Sequence, residues 1–262
     1  ISKPAGKEAL IVTAADLKTI KPIFADSSIP GFKASNYPAL ATDKVRFVGE
    51  CLAACIADTR AAAEDLAEEI EVDIEELPAV IDSLKARAPD APLVHDDWSD
   101  NLFLTTSVQG DIETLAKTAP VKVTRELRTG RQCMHPMEGK GVLAYWDFQA
   151  GQLVVYTSTQ VPHMIRTGLS ETLGLEQRQI RVIPPDVGGG FGYKCVLQPE
   201  EIVIAWLAMT TKRPHRWVED RREHLTAGAN SREHHYQITA YADNRGRLLG
   251  LDAEITVSVG AY

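Results

Sequence analysis

Asp186-Val187-Gly188-Gly189-Gly190-Phe191-Gly192-Tyr193-Lys194 sets four glycines and one aromatic directly after the strand-like Ile180-Arg181-Val182-Ile183. Glycine loses more conformational freedom on folding than any other residue, so a cluster marks a backbone that turns sharply or approaches something closely. A helix is predicted from about Pro199, which gives the order strand, glycine loop, helix. That order turns main-chain N–H groups toward any anion in front of the loop. Two phosphate signatures fail. A P-loop needs Gly before its Lys and Ser or Thr after it, but Tyr193 precedes Lys194 and Cys195 follows. The G-x-G-x-x-G fingerprint fits Gly188 and Gly190, but Tyr193 takes the last glycine position.

Working outward, the 262 residues suffice for one large or two ordinary domains with a substantial core. A net charge of −8 argues against general affinity for nucleic acid. Arg213, Arg216, Arg221 and Arg222 are interleaved with Glu219, Asp220 and Glu223, which reads as a salt-bridged solvated face. No apolar run approaches the length of a membrane span. Four cysteines imply no disulfide framework and suit a reducing cytoplasm. Cys51 and Cys55, four apart in an apolar run, read as buried small hydrophobes on one face of a strand.

The fold class is predicted as α+β. Leu10 to Val12 reads as a strand, with Thr13 capping a short helix from Ala14 to Lys18. Phe47 to Ile56 is apolar enough for a buried strand, and Asp58 or Thr59 caps a helix from Arg60 to Ile70 with Ala62, Leu66 and Ile70 on one face. Val72 and Ile74 alternate with acids as a half-buried strand stopped by Pro78. Lys85 to Asn101 is rich in Pro, Asp and Ala and marks a linker. Beyond it, Val121 to Leu127, Gly141 to Trp146 and Leu153 to Thr157 read as strands. A helix after Gln160 is expected to bury Met164, Ile165, Leu169 and Leu173. Pro199 to Met209 is apolar nearly all round, as in a helix buried on several sides. Tyr236 to Ala242 and Leu248 to Val259 form a hairpin around Asn244-Arg245-Gly246.

The glycine loop resembles the GGGFG-x-K loop of the molybdenum hydroxylases, the family of xanthine dehydrogenase, aldehyde oxidase and carbon monoxide dehydrogenase. The resemblance extends upstream to Val154-Val155-Tyr156-Thr157-Ser158-Thr159-Gln160, Arg131-Gln132, Met137-Glu138, Gly141 to Ala144, Val48 to Glu50 with Ile56 to Asp58, and Ile74 to Val80. It implies an α/β hammerhead domain over residues 1–93, a linker over 94–120, and the first part of a molybdopterin-binding domain over 121–262. Gly189, Gly190, Phe191 and Gly192 are then cofactor-binding, the glycines by close backbone approach and Phe191 as an apolar wall. Gln160 matches a glutamine that hydrogen-bonds a molybdenum ligand, a role that orients the ligand without competing for the metal.

The implied activity is that of a catalytic subunit hydroxylating an aldehyde, an aromatic heterocycle or a related small molecule, or oxidising carbon monoxide. Electrons would pass to [2Fe–2S] and FAD centres on an iron–sulfur subunit and an FAD subunit of a cytoplasmic hetero-oligomer. This chain has no Cys pattern for such a cluster. Large subunits of the family are several times longer, and their catalytic glutamate has no counterpart here. The chain is therefore expected to be a piece of that subunit, inactive and cofactor-free alone, with no catalytic residue and no direct metal ligand assigned. A non-catalytic scaffold piece is the alternative.

Cys195 occupies the position of a substrate-binding glutamate in xanthine-oxidising members, which argues against purines. It is not the copper-binding cysteine of carbon monoxide dehydrogenases, which belongs to a later loop. Lys194 is expected to pair with an acid. In Cys133-Met134-His135-Pro136 the side chains are expected to diverge, so His135 reads as packing rather than a metal ligand. His163, His234 and His235 carry no assigned chemistry.

Overall fold

A computed structural model describes residues 1–25 and 27–262. The elements are β1 (Ile11–Thr13), β2 (Ile23–Ala25), β3 (Ser35–Tyr37), β4 (Ala53–Cys55), α1 (Arg60–Glu68), α2 (Ile112–Thr118), β5 (Val121–Thr129), β6 (Gly141–Asp147) and β7 (Gln152–Thr157). They continue with α3 (Pro162–Leu173), β8 (Ile180–Ile183), α4 (Pro199–Thr211), β9 (His215–Val218), α5 (Arg221–Ala227), β10 (Glu233–Ala242) and β11 (Leu248–Ser258). This mixture of helices with small separate sheets is α+β. The chain divides into two compact units that interleave in sequence, one of residues 1–25, 36–77 and 133–229, the other of 27–35, 78–132 and 230–262.

The first unit is built on a four-stranded sheet of order β8-β7-β6-β9. β7 runs parallel to β8 and antiparallel to β6, and β6 runs antiparallel to β9. Leu153, Val154 and Val155 are buried because β7 is central and covered on both faces. α3 and α4 join these strands in one core with Val142, Ala144, Ile165, Leu169, Ile202 and Ala205. α3 begins with Pro162 in its first turn and ends at the left-handed Gly174. It buries Ile165, Leu169, Thr172 and Leu173, whereas Met164 is 64% exposed. Met164 precedes Ile165, about 100° round the helix and off the buried stripe. α4 is capped by the reciprocal pair Gln198–Glu201 and buries side chains on several faces, as its composition demands.

Several expectations near the N-terminus are corrected. β1 and β4 pair antiparallel, but the strand expected from Phe47 to Ile56 is confined to Ala53–Cys55. Cys51 thus lies outside the strand. Cys51 and Cys55 are half-buried rather than buried, and desolvation, followed by the neighbouring Glu200, pushes the Cys51 thiol far up. The helix expected from Ala14 to Lys18 is a single 3-10 turn, Ala14–Asp16, closed by the Thr13–Asp16 capping box. Thr59 caps α1 by accepting the Ala62 N–H, and Leu66 is that helix's one fully buried side chain. Val72 and Ile74 form no strand and are 42% and 58% exposed. Alternation marks a surface able to pair, but among the described residues the pairing stops at one antiparallel bridge, Ser2 with Glu71, before Val72 is reached.

The second unit carries a three-stranded antiparallel sheet of order β11-β10-β5. α2 packs on β11, where a side chain at Gly250 would meet Leu115 at 2.5 Å. In register across the sheet, Val123, Ala240 and Leu251 share one face with Leu127, Tyr236 and Ile255. Leu127, Leu251 and Ile255 on that face are each more than half exposed.

Candidate functional site

β8 delivers the chain into the glycine loop, and β7 delivers Gln160 beside it. Gly189 and Gly192 adopt φ of 92° and 93°, a region open to glycine at little cost. Phe191 lies between two glycines at φ 53°, one of only two non-glycine residues with positive φ among those described, and is 72% exposed. A large apolar side chain held in solvent by a strained backbone costs stability twice over.

Gln160 interlocks with the loop. Its Oε1 accepts the Gly192 N–H at 3.1 Å, and its own N–H donates to the Lys194 carbonyl at 3.0 Å. The Thr159 hydroxyl donates to that same carbonyl at 3.1 Å. A Cβ at Gly190 would lie 2.3 Å from Gln160 Oε1, so only glycine admits this side chain. With Oε1 engaged, the Nε2 amide of the exposed Gln160 has no partner among the described residues.

From below, Glu138 holds the loop. One carboxylate oxygen accepts the Gly188 N–H at 2.6 Å and the Lys194 ammonium at 2.7 Å. Glu138 returns its own N–H to the Gly188 carbonyl at 3.3 Å. The Lys194 side chain is fully buried, and that of Glu138 is 39% exposed. Burial works to raise the Glu138 carboxyl, but the Lys194 ammonium and the Gly188 N–H outweigh it and hold the group below the usual carboxylate range.

A second buried network underlies Tyr193. Its hydroxyl donates to Glu219, whose other oxygen accepts the Lys140 N–H at 2.8 Å and faces His224 Nδ1 at 3.0 Å. Burial first, and then the bond to Glu219, pushes the Tyr193 phenol above its ordinary range, so it stays a donor. Deeper still, Lys140 Nζ and Glu201 form a fully buried charge pair at 3.2 Å, with Thr157 donating to Glu201 at 2.6 Å.

The structure therefore brings Gln160, Gly189, Gly190, Phe191 and Gly192 together at one place. Lys194 pairs with an acid, as its charge demanded. Glu138, Tyr193, Glu219 and His224 were not singled out for this site from sequence. The signal for Glu138 was the need of a lysine inside an apolar loop for an anion. His234 pairs with Tyr236 and His235 with Glu233 on the hairpin. Cys133 and His135 correct the expectation of divergence: with His224, their ligand atoms all lie within 4.8 Å of one another. Two residues apart in extended chain, they project to the same side, and α5 supplies the third member.

The family described as "Molybdopterin cofactor-binding domain" matches residues 94–262. The chain belongs to this molybdopterin-binding family. Among curated relatives, the nicotine 6-hydroxylase large subunit of Paenarthrobacter nicotinovorans is 35% identical over 97% of this chain and 31% of its own length. The carbon monoxide dehydrogenase large chain of Hydrogenophaga pseudoflava is 32% identical over 96% of this chain and 33% of its own. Among solved structures, quinoline 2-oxidoreductase from Pseudomonas putida 86 superimposes with a TM-score of 0.89 at 33% identity, covering 94% of this chain and 31% of that one. The chain thus spans about a third of the length of these molybdopterin-family relatives, which are large subunits of oxidoreductases. No helix among the described residues is long and apolar enough to cross a membrane.

Proposed function

We propose that this chain forms one wall of the cofactor site in the catalytic subunit of a molybdenum hydroxylase. The observation that carries this reading is the interlock of Gln160 with Gly190 and Gly192, which engages the amide oxygen internally and leaves the amide N–H donors free on an exposed residue hydrogen-bonded to the loop that carries exposed Phe191. The arrangement fits a bound polar group: glycines that permit close backbone approach, an oriented donor and an apolar shield. When bound, molybdopterin supplies a metal centre that accepts two electrons from the substrate. Gln160 then offers an oriented N–H donor to the cofactor, with its amide flip decided by the Gly192 bond. Gly189, Gly190 and Gly192 bring the backbone close, Phe191 excludes water, and Glu138 with Lys194 keeps the loop in that shape.

In the same reading, residues 1–93 correspond to an α/β hammerhead domain, 94–120 to a linker and 121–262 to the first part of the molybdopterin-binding domain. The substrate class is an aldehyde, an aromatic heterocycle or carbon monoxide. Electrons leave through [2Fe–2S] and FAD centres on partner subunits in a cytoplasmic hetero-oligomer. The reading is tested by elemental molybdenum and released-pterin fluorescence on the assembled native protein. Both signals at about one per catalytic subunit are expected, falling together in Gly190→Ala. Absence of both from properly assembled wild-type protein leaves the glycine loop a structural turn and the subunit a scaffold.

A further inference from the structure

We propose that Cys133, His135 and His224 form a binding site for a zinc-type divalent cation, beside the glycine loop but independent of the cofactor reading. A thiol and two imidazoles are the donor set that borderline and soft divalent metals select. The three ligand atoms lie within 4.8 Å of one another. A tetrahedral site with metal–sulfur near ~2.3 Å and metal–nitrogen near ~2.0 Å has donors roughly 3.5 Å apart, so closure asks for about an ångström of movement. His135 is exposed and Cys133 half-buried, which allows that movement and opens an entry path. The two imidazole rings are already neighbours, with centroids 6.0 Å apart.

His224 is prepared as a ligand by its surroundings. It is 1% exposed, and its Nδ1 faces the buried Glu219 carboxylate at 3.0 Å. Glu219 is itself fixed by Tyr193 and the Lys140 N–H. A carboxylate behind one ring nitrogen orients the ring and leaves the other nitrogen for metal. That other nitrogen, Nε2, lies 2.7 Å from the Met134 carbonyl, a contact the cation replaces. The bound cation ties the segment that carries Glu138 to α5. Three protein donors leave the fourth position to water.

The test uses the assembled full-length protein, dialysed against buffered free zinc or against chelator. Alkylation of Cys133 by iodoacetamide, followed by peptide mass spectrometry, is expected to slow by about tenfold or more with zinc. The protection should vanish in His135→Ala, an exposed position where the fold is insensitive. Zinc content by atomic emission should be one equivalent lower in Cys133→Ser than in wild type. Equal alkylation with and without zinc overturns the proposal, as does protection that survives in His135→Ala. Equal zinc content in wild type and Cys133→Ser overturns it as well, whatever zinc binds elsewhere.

Discussion

Replacing Glu138 by Gln keeps the shape of the clamp under the glycine loop and removes its charge. Two bonds converge on one carboxylate oxygen, from the Gly188 N–H at 2.6 Å and from Lys194 at 2.7 Å. Charge-assisted bonds contribute ~1.5–3 kcal/mol against ~0.5–1.5 for neutral ones, so the amide forfeits about 1 kcal/mol per bond. Lys194, with a side chain wholly out of solvent, keeps its charge and loses its anion. Breaking a fully buried pair on one side costs ~3–5 kcal/mol. Here the carboxylate is 39% exposed and solvent screens part of the attraction, so the effect is about 2 kcal/mol. At ~1.4 kcal/mol per factor of ten, local opening of the loop becomes about 30-fold more frequent.

The assay is amide hydrogen exchange on the peptide spanning residues 184–195 in the assembled protein, read against a peptide from α4 as internal control. Adding Lys194→Met to Glu138→Gln removes the unpaired buried charge, and exchange should return to within about threefold of wild type. Exchange unchanged in Glu138→Gln, or faster still in the double variant, refutes the clamp.

The pH dependence of the same exchange follows from the depressed Glu138 carboxyl. A carboxyl lowered on folding contributes stability that is present above its unfolded value, so protection should be full at neutral pH and disappear as pH falls below the ordinary carboxylate range; protection that rises on acidification contradicts the assignment. In Gly190→Ala the new Cβ, 2.3 Å from Gln160 Oε1, expels a flexible side-chain end rather than backbone. Unfolding free energy should fall by only about 1 kcal/mol while molybdenum content drops by about tenfold at limiting cofactor, and equal losses in both would mean simple misfolding. Tyr193→Phe deprives buried Glu219 of a donor, for which we expect ~1–3 kcal/mol and a thermal midpoint lower by about 2–8 °C; an unchanged midpoint places the hydroxyl outside the network.

The elements legible in the sequence are those whose causes lie within a few residues. α4 follows from Gln198, Pro199 and Glu201 at its start and an apolar run behind them. The glycine loop follows from its composition, and the place of Gln160 from the strand before it. Val72 and Ile74 show where such reasoning stops, since pairing that ends at the Ser2–Glu71 bridge leaves both exposed. Met164 shows the same for register, one residue off the buried stripe of α3.

The sequence by itself determined the longer elements such as α3 and α4, the glycine loop and the resemblance that placed the chain in its family. Those depend on backbone propensities, caps and periodicities that neighbouring residues share. Only the tertiary structure decided that Glu138 meets Lys194, that Glu219 joins Tyr193 to His224, and that His224 completes a cluster with Cys133 and His135. Apart from Glu219 and His224, five residues apart, these partners are separated by tens of residues, and any of several acids or histidines would satisfy the same local pattern. Which one arrives is settled by how the sheet closes and where the buried charges find their counterparts, because an unpaired charge in the interior is too costly to leave.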